Sequence, residues 1–246
     1  MDHLIYTAMS AASTILDRQA VVSNNLANAD TNGFRADISV FQQAPITGKG
    51  LQTRTQVASG SSGVDFTPGA VQTTGRPLDV ALPGPGFLAV QAADGNEAYT
   101  RAGSLQIASD GTLVTSTGLP VLGDGGPISI PPDTTVSIAA DGTVSGISTA
   151  PPFTAPTPLG QIKLVNPATN NMAKGSDGLF RTKDGSDAAA DPTVSLTSGA
   201  LESSNVNSAE VMVSMIDLAR SFEQQMKMLQ TVQDNSQHAD QLLTTS

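Results

Sequence analysis

Few side chains in this 246-residue chain have the types and spacing that chemistry requires. His3 and His238 are the two histidines, and cysteine is absent, so disulfides and thiolate metal sites are excluded. Both histidines are predicted to lie on terminal helices, where a solvated position is more common than a role as ligand or general base. The sequence therefore gives no support for a nucleophilic triad, and we expect no catalytic residue.

Two glycine-containing patterns resemble binding motifs only superficially. Gly84-Pro85-Gly86, with Ala89, matches part of a dinucleotide fingerprint, but a strand rather than a helix is predicted to follow it. The Asp-Gly pairs lack the further oxygen ligands and the closing glutamate of a calcium loop, and they are typical of tight hairpin turns instead. These pairs are Asp94-Gly95, Asp110-Gly111, Asp124-Gly125, Asp141-Gly142, Asp177-Gly178 and Asp184-Gly185. We predict no cofactor and no metal.

Composition excludes further classes of function. The net charge of −10, with no basic stripe, argues against nucleic acid as a partner. No apolar run approaches the ~20 residues that cross a bilayer, so no membrane span is predicted. Residues 1–13 contain neither a basic region nor an uninterrupted apolar region, so a cleavable secretory signal is not expected.

Apolar residues recur at helical spacing near both ends of the chain, and we predict a long helix at each end. In the second helix the apolar positions alternate steps of four and three, which is the period of a coiled-coil seam. Asn207 and Glu210 are expected to cap this helix, and Asn32-Gly33 to end the first one. The predicted assembly seam consists of Ile5, Ala8, Met9, Ala12, Ile15, Leu16, Val22 and Leu26, with Val211, Met215, Leu218, Phe222, Leu229 and Val232.

The length of the second helix decides between two interpretations of this seam. Ordinary surface helices packed on a central domain are one alternative. A helix of ~35 residues spans ~50 Å, however, which exceeds the diameter of a compact domain of ~150 residues. We therefore expect the two terminal helices to pair with each other and to be covered by neighbouring molecules.

Between the helices, short alternating segments separated by turn residues predict an antiparallel β-domain. The expected strands include residues 87–91, 98–102, 105–107, 113–115, 128–130, 136–138, 144–147, 161–165 and 179–181. Residues 44–63 are expected to be extended with little regular structure. The predicted fold class is α+β, with coiled-coil-like paired terminal helices and a central all-β domain. The expected boundaries are 1–34 for the first helix, 35–75 for a connector, 76–186 for the β-domain, 187–204 for a return connector and 205–246 for the second helix.

One segment between the first helix and the connector carries a specific motif, and two later blocks accompany it. The segment Asn24-Asn25-Leu26-Ala27-Asn28-Ala29-Asp30-Thr31-Asn32-Gly33-Phe34 resembles the N-terminal signature of the rod and hook proteins of the bacterial flagellum. Residues 76–82, 86–90 and 99–103 resemble the central β-domain of that family. Its C-terminal helix is resembled by Ser204-Asn205-Val206 with Glu210, Met215-Ile216, Arg220-Ser221-Phe222-Glu223 and Lys227. The resemblance covers nearly the whole chain, with the blocks in the family's order.

The resemblance implies a structural subunit rather than an enzyme, located in the periplasmic rod of the basal body. It implies that the terminal helices form an inner tube domain and that the subunit transmits torque. The implied partners are copies of itself, neighbouring rod proteins including the distal-rod protein, and the flagellar type III export apparatus. The chain's opening, length and ending are most similar to those of proximal-rod members of the family, with a distal-rod or hook-type protein as the nearest alternative. A peptidoglycan hydrolase and a secreted binding module remain the alternatives from other classes.

Overall fold

The computed structural model describes residues 2–45, 55–59, 63–149 and 155–244, which belong to two compact units. The first unit comprises Met1–Ala29, Ala36–Asp65 and Val206–Ser246. The second comprises Asp30–Arg35 and Phe66–Asn205. Each unit is built from segments that are distant in sequence.

Two long helices dominate the first unit. Helix α1 spans Asp2–Ala27, helix α2 spans Ser208–Thr244, and the two contact each other. Together with the antiparallel strands between them, they confirm the predicted α+β class. The coiled-coil geometry of their pairing stays a prediction.

The ends of the two helices follow their local sequence. As predicted, Asn207 caps α2, because its Oδ1 accepts hydrogen bonds from the backbone N–H groups of Ala209 and Glu210 at 3.1 and 3.4 Å. Helix α1 ends at Ala27, before the expected stop near Asn32-Gly33. Asn28 follows, and its side-chain amide donates to the backbone oxygen of Asn24 at 2.9 Å. Such polar side chains compete for the backbone groups that would continue the helix.

The segment between α1 and the β-domain contains more regular structure than expected. Strands β1 (Asp37–Ile38) and β4 (Gly63–Val64) pair antiparallel, as do β2 (Phe41–Pro45) and β3 (Thr55–Ser59). The expectation of little regular structure over residues 44–63 is therefore wrong for its described part. Extended backbone groups need hydrogen-bond partners, and the β2–β3 pairing supplies them.

The second unit contains the remaining strands. They are β5 (Val71–Thr73), β6 (Val80–Ala81), β7 (Phe87–Gln91), β8 (Glu97–Thr100), β9 (Leu105–Ile107), β10 (Leu113–Thr115), β11 (Leu122–Gly123), β12 (Gly126–Pro127), β13 (Thr134–Ile138), β14 (Thr143–Ser148), β15 (Thr157–Gln161), β16 (Leu164–Val165), β17 (Met172–Lys174), β18 (Phe180–Thr182), β19 (Thr197–Ser198) and β20 (Ala200–Glu202). A short 3₁₀ helix spans Thr169–Asn171.

Every strand pairing in this unit is antiparallel, as far as the described residues extend. The largest sheet has the order β16-β7-β8-β18-β17, and a second sheet has the order β13-β14-β15. Strands β9 and β10, β11 and β12, β6 and β19, and β5 and β20 form two-stranded pairs. The last two pairs join the start of the segment Phe66–Asn205 to its end.

The strands expected over 87–91, 105–107 and 113–115 are confirmed with their exact bounds. Two others differ. Residues 128–130 make one isolated bridge, Thr112↔Ser129, instead of a strand. The strand expected over 161–165 is divided between β15 and β16, because β15 pairs with β14 in one sheet and β16 pairs with β7 in the other.

Most Asp-Gly pairs form the predicted turns. Gly95, Gly111, Gly142, Gly178 and Gly185 have positive φ. At Asp124-Gly125 the positive φ falls one residue later, on Gly126. The carboxylates accept hydrogen bonds from the backbone N–H two residues onward, as Asp110 does from Thr112 at 3.0 Å and Asp141 from Thr143 at 2.9 Å. These are turn contacts, which explains the motif without calcium.

The second unit has a small buried apolar cluster of Val90, Ala92, Ala98 and Leu179, and one large apolar core. The buried members of the large core come from both sheets and from the paired short strands. They are Val80, Leu82, Leu88, Leu105, Leu113, Val121, Ile128, Ile130, Val136, Ile138, Val144, Ile162, Leu164, Val194 and Leu196. The core gives the unit a rigid frame for the polar cluster described below.

Candidate assembly interface

The predicted seam of α2 follows the least exposed side of that helix. Leu218 is buried at 7% exposure, and the other predicted positions are half-buried, namely Val211, Met215, Phe222, Leu229 and Val232. Gln225, the polar member of the same row, is half-buried as well. The 3.5-residue spacing in the sequence therefore corresponds to one continuous side of α2.

The predicted seam of α1 is divided by exposure. Ala8 and Ala12 are buried, and Ile15, Val22 and Leu26 are half-buried. Met9 and Leu16 are 55% and 51% exposed, so they lie beside the covered stripe rather than within it. The side chain of Ile5 lies outside the described residues. The small alanines allow the α1 backbone to approach a neighbouring helix closely.

A second set of apolar side chains on α2 is left uncovered. Met212, Val213 and Ile216 are 49%, 59% and 53% exposed, and Met226 and Met228 are also exposed. At 100° per residue, Met212, Ile216 and Met226 lie next to the seam and form a flank, which we call the α2 flank. Met212 and Ile216, four residues apart, are neighbours on this surface, and exposed apolar surface of this kind is typical of a protein interaction site.

Asn25, within the family-like motif, makes a paired contact. It is buried at 8% exposure near the C-terminal end of α1. Its Nδ2 donates to the backbone oxygen of Asp37 at 2.9 Å, and its Oδ1 accepts from the backbone N–H of Asp37 at 2.8 Å. The amide thus pairs with the Asp37 backbone much as a neighbouring strand would, in addition to the pairing of β1 with β4.

The end of the motif belongs to the second unit. Gly33 has a φ of 71°, and a Cβ placed there would come within 2.3 Å of the Arg101 backbone. Phe34 donates its backbone N–H to Thr31, and its ring lies 3.9 Å from the Nζ of Lys174. Among the other motif residues, Asn24 and Ala27 are exposed at the end of α1. The motif therefore shapes the helix end and the close turn after it.

Three buried charged residues form a cluster that the sequence analysis did not predict. Arg35 Nη2 lies 2.6 Å from Glu202 Oε1, and Arg101 Nε lies 2.7 Å from Glu202 Oε2. All three side chains are at most 3% exposed. One buried carboxylate thus pairs with two guanidinium groups, which leaves an excess positive charge in the cluster.

Backbone carbonyls in and beside the bend over residues 83–85 stabilise the Arg101 cation through hydrogen bonds. Arg101 Nη1 donates to the backbone oxygen of Gly86 at 2.6 Å, and Nη2 donates to Leu82 at 2.8 Å and Gly84 at 3.0 Å. Burial lowers the pKa of Arg101, Glu202 opposes that shift, and the neighbouring Arg35 adds to it. The Gly84-Pro85-Gly86 segment therefore binds an arginine through its backbone carbonyl oxygens rather than a phosphate.

A partial sequence signal for the cluster exists. Ala200 and Glu202 lie two residues apart in β20, and both are buried on the same side of that strand. A carboxylate at an inward position requires a buried cation. Its partners are 167 and 101 residues away in sequence, so the pattern alone does not identify them.

The two histidines and the acidic residues are the remaining candidates for chemistry. His3 and His238 lie in α1 and α2, and their side chains fall outside the described residues. Among the described side chains, no group of three or more histidine, cysteine or acidic residues is placed to hold a metal ion. No helix in the described ranges is long and apolar enough to cross a bilayer.

Comparison with protein families gives three matches in chain order. Residues 5–35 match the model described as "Flagella basal body rod protein". Residues 81–146 match "Flagellar hook protein FlgE/F/G D1 domain", and residues 197–242 match "Flagellar basal body rod FlgEFG protein C-terminal".

Individual relatives match over the full length of the chain. It is 48% identical to the flagellar basal-body rod proteins FlgF of Escherichia coli and Salmonella typhimurium, with 100% of each chain covered. It is 36% identical to the flagellar basal-body rod protein FlgG of Buchnera aphidicola from Schizaphis graminum, over 90% of this chain and 92% of the relative.

Proposed function

The chain belongs to the flagellar basal-body rod protein family, and from this premise we propose that it assembles into the rod through the seam and the α2 flank. It is a structural subunit of the basal-body rod and not an enzyme. We propose which of its described surfaces make the contacts within the rod.

Two neighbouring sides of α2 differ in the exposure of their apolar side chains, and this difference supports the proposal. The seam positions, such as Leu218, are covered, whereas Met212 and Ile216 on the flank are about half exposed. The covered side suits a lasting contact with α1, in a coiled-coil-like inner domain. The exposed flank suits contact with a neighbouring subunit, because apolar surface gains free energy when it leaves water.

The finer assignments follow from the family. The similarity to FlgF favours the proximal rod, with the distal-rod protein among the neighbours. A distal-rod or hook-type axial role is the alternative within the family. Passage through the flagellar type III export apparatus, location in the periplasm and transmission of torque along the rod complete the proposal. The relatives do not favour a peptidoglycan hydrolase or a secreted binding module.

Substitutions in the seam test the proposal directly. Leu218→Asp and Phe222→Asp place a charge on the covered side of α2, whereas Gln224→Asp places the same charge at an exposed position of the same helix. In cells that lack the chromosomal copy, we expect the two seam variants to be missing from purified basal bodies and motility to be lost. Gln224→Asp should assemble normally. Normal motility with Leu218→Asp would contradict the role assigned to the seam.

A further inference from the structure

The chain passes between its two units four times. The passages fall at 29/30, 35/36, 65/66 and 205/206. The residues of the second unit next to these passages form three segments, 30–35, 66–70 and 200–205, which are widely separated in sequence. We call them the passage segments.

Glu202 lies in segment 200–205 and contacts the other two passage segments. Its backbone oxygen accepts from the N–H of Gly33 at 2.8 Å. Its Oε1 accepts from Arg35 Nη2 at 2.6 Å and from the backbone N–H of Gly69 at 2.9 Å. One residue therefore joins segment 30–35 and segment 66–70 to segment 200–205.

Backbone contacts bring the same segments close together. Ser203 donates its N–H to Ala70 at 2.8 Å, and Asn205 Nδ2 donates to the backbone oxygen of Thr67 at 3.1 Å. Gly69 approaches so closely that an added Cβ would lie 2.0 Å from the Ser203 oxygen. The packing at this point leaves no room for a side chain.

Arg101 connects this arrangement to the β-domain. It reaches the other carboxylate oxygen, Glu202 Oε2, and donates at the same time to three carbonyls of the bend before β7. Because Glu202 holds two buried guanidinium groups, its loss would leave both cations without their counter-charge.

We propose that Glu202 is the positioning residue of a junction that holds the three passage segments together as one element. The junction, defined as Gly33, Arg35, Gly69, Arg101 and Glu202, keeps the chain segments that lead to α1 and α2 at a fixed place on the β-domain before assembly. This inference rests on the assembly role proposed above. It gives buried residues that are not part of the seam a specific role in the incorporation of the subunit into the rod.

Amide hydrogen exchange of the full-length subunit, combined with incorporation into basal bodies, tests the junction. Glu202→Gln removes the charge but keeps an acceptor oxygen for Gly69. The matched control is Glu97→Gln, which breaks the Lys163–Glu97 ion pair of 2.8 Å elsewhere in the same unit. We expect Glu202→Gln to speed exchange in all three passage segments by about tenfold or more, with exchange over 134–148 unchanged and incorporation reduced. Glu97→Gln should leave the passage segments and incorporation unchanged.

If Glu202→Gln does not fold, a second variant still tests the junction. Arg35→Met retains the neutral Arg101–Glu202 pair and removes the side-chain contact of segment 30–35 with Glu202, while the backbone hydrogen bond from Gly33 remains. We expect faster exchange at residues 30–35, unchanged exchange over 134–148 and reduced incorporation.

Three results would overturn the junction: wild-type exchange in the passage segments, acceleration that extends equally to 134–148, or full incorporation despite faster exchange. If Leu218→Asp is excluded from the rod while these variants assemble normally, the junction fails and the seam stands. If Leu218→Asp assembles normally, the seam fails independently of the junction.

Discussion

The side-chain amide of Asn25 makes two hydrogen bonds to the backbone of Asp37. The amide of Asn25 donates to the Asp37 oxygen at 2.9 Å and accepts from its N–H at 2.8 Å. This pairing connects the end of α1 to β1 in the first unit. It gives a structural reason for the asparagine at this position of the motif.

Asn25→Asp should therefore impair assembly. The aspartate keeps the acceptor for the Asp37 N–H but replaces the donor with a second oxygen facing the Asp37 carbonyl, at a cost of about 1–3 kcal/mol. When variant and wild-type subunits are expressed together, we expect the variant to be under-represented in purified basal bodies by about fivefold or more. Asn24→Asp, with the same charge at an exposed neighbour, is the control. Equal incorporation of the two variants would mean that the paired contact is dispensable.

Gly33→Ala should destabilise the second unit more than Gly75→Ala. Both glycines have positive φ, 71° and 74°, so both alanines incur backbone strain of about 1 kcal/mol. At Gly33 the new Cβ also meets the Arg101 backbone at 2.3 Å, whereas nothing lies within 4 Å at Gly75. We expect Gly33→Ala to lower the free energy of unfolding by about 3 kcal/mol or more, measured by urea denaturation. Similar losses at the two positions would show that the close approach at Gly33 is easily relieved.

Ile216→Asp should separate assembly from the stability of the subunit. Ile216 is 53% exposed on the α2 flank, so a charge there should change the free energy of unfolding by less than about 0.5 kcal/mol. We expect its incorporation into basal bodies to fall sharply, because the proposed neighbour would have to bury the charge. Gln224→Asp serves again as the control. An Ile216→Asp subunit that assembles as well as this control would leave the flank without an assembly role.

The sequence predicted those elements whose signal is local. The heptad spacing of α2, its Asn207 cap and the strand at 87–91 each depend on residues close to one another in the chain. Most Asp-Gly turns were also predictable, because glycine at positive φ is a local requirement. The flagellar family was recognisable from the segment 24–34 for the same reason.

Features that depend on distant residues were not predictable in this way. Strands β2 and β3 have weak individual patterns, and the backbone pairing between them decides their structure. Arg35, Arg101 and Glu202 come from three separate segments, and no spacing rule connects them. Gly33 was expected to end α1, but its conformation instead serves the contact with the Arg101 backbone.

A density map of the assembled basal body at side-chain resolution would show both helices and their neighbours. We expect α1 and α2 of one subunit to lie side by side along the seam, with Leu218 enclosed between them. We also expect Met212 and Ile216 to be covered by an adjacent subunit. A map in which α1 lies far from α2 of the same subunit, or in which the α2 flank faces open solvent, would contradict the proposed assembly.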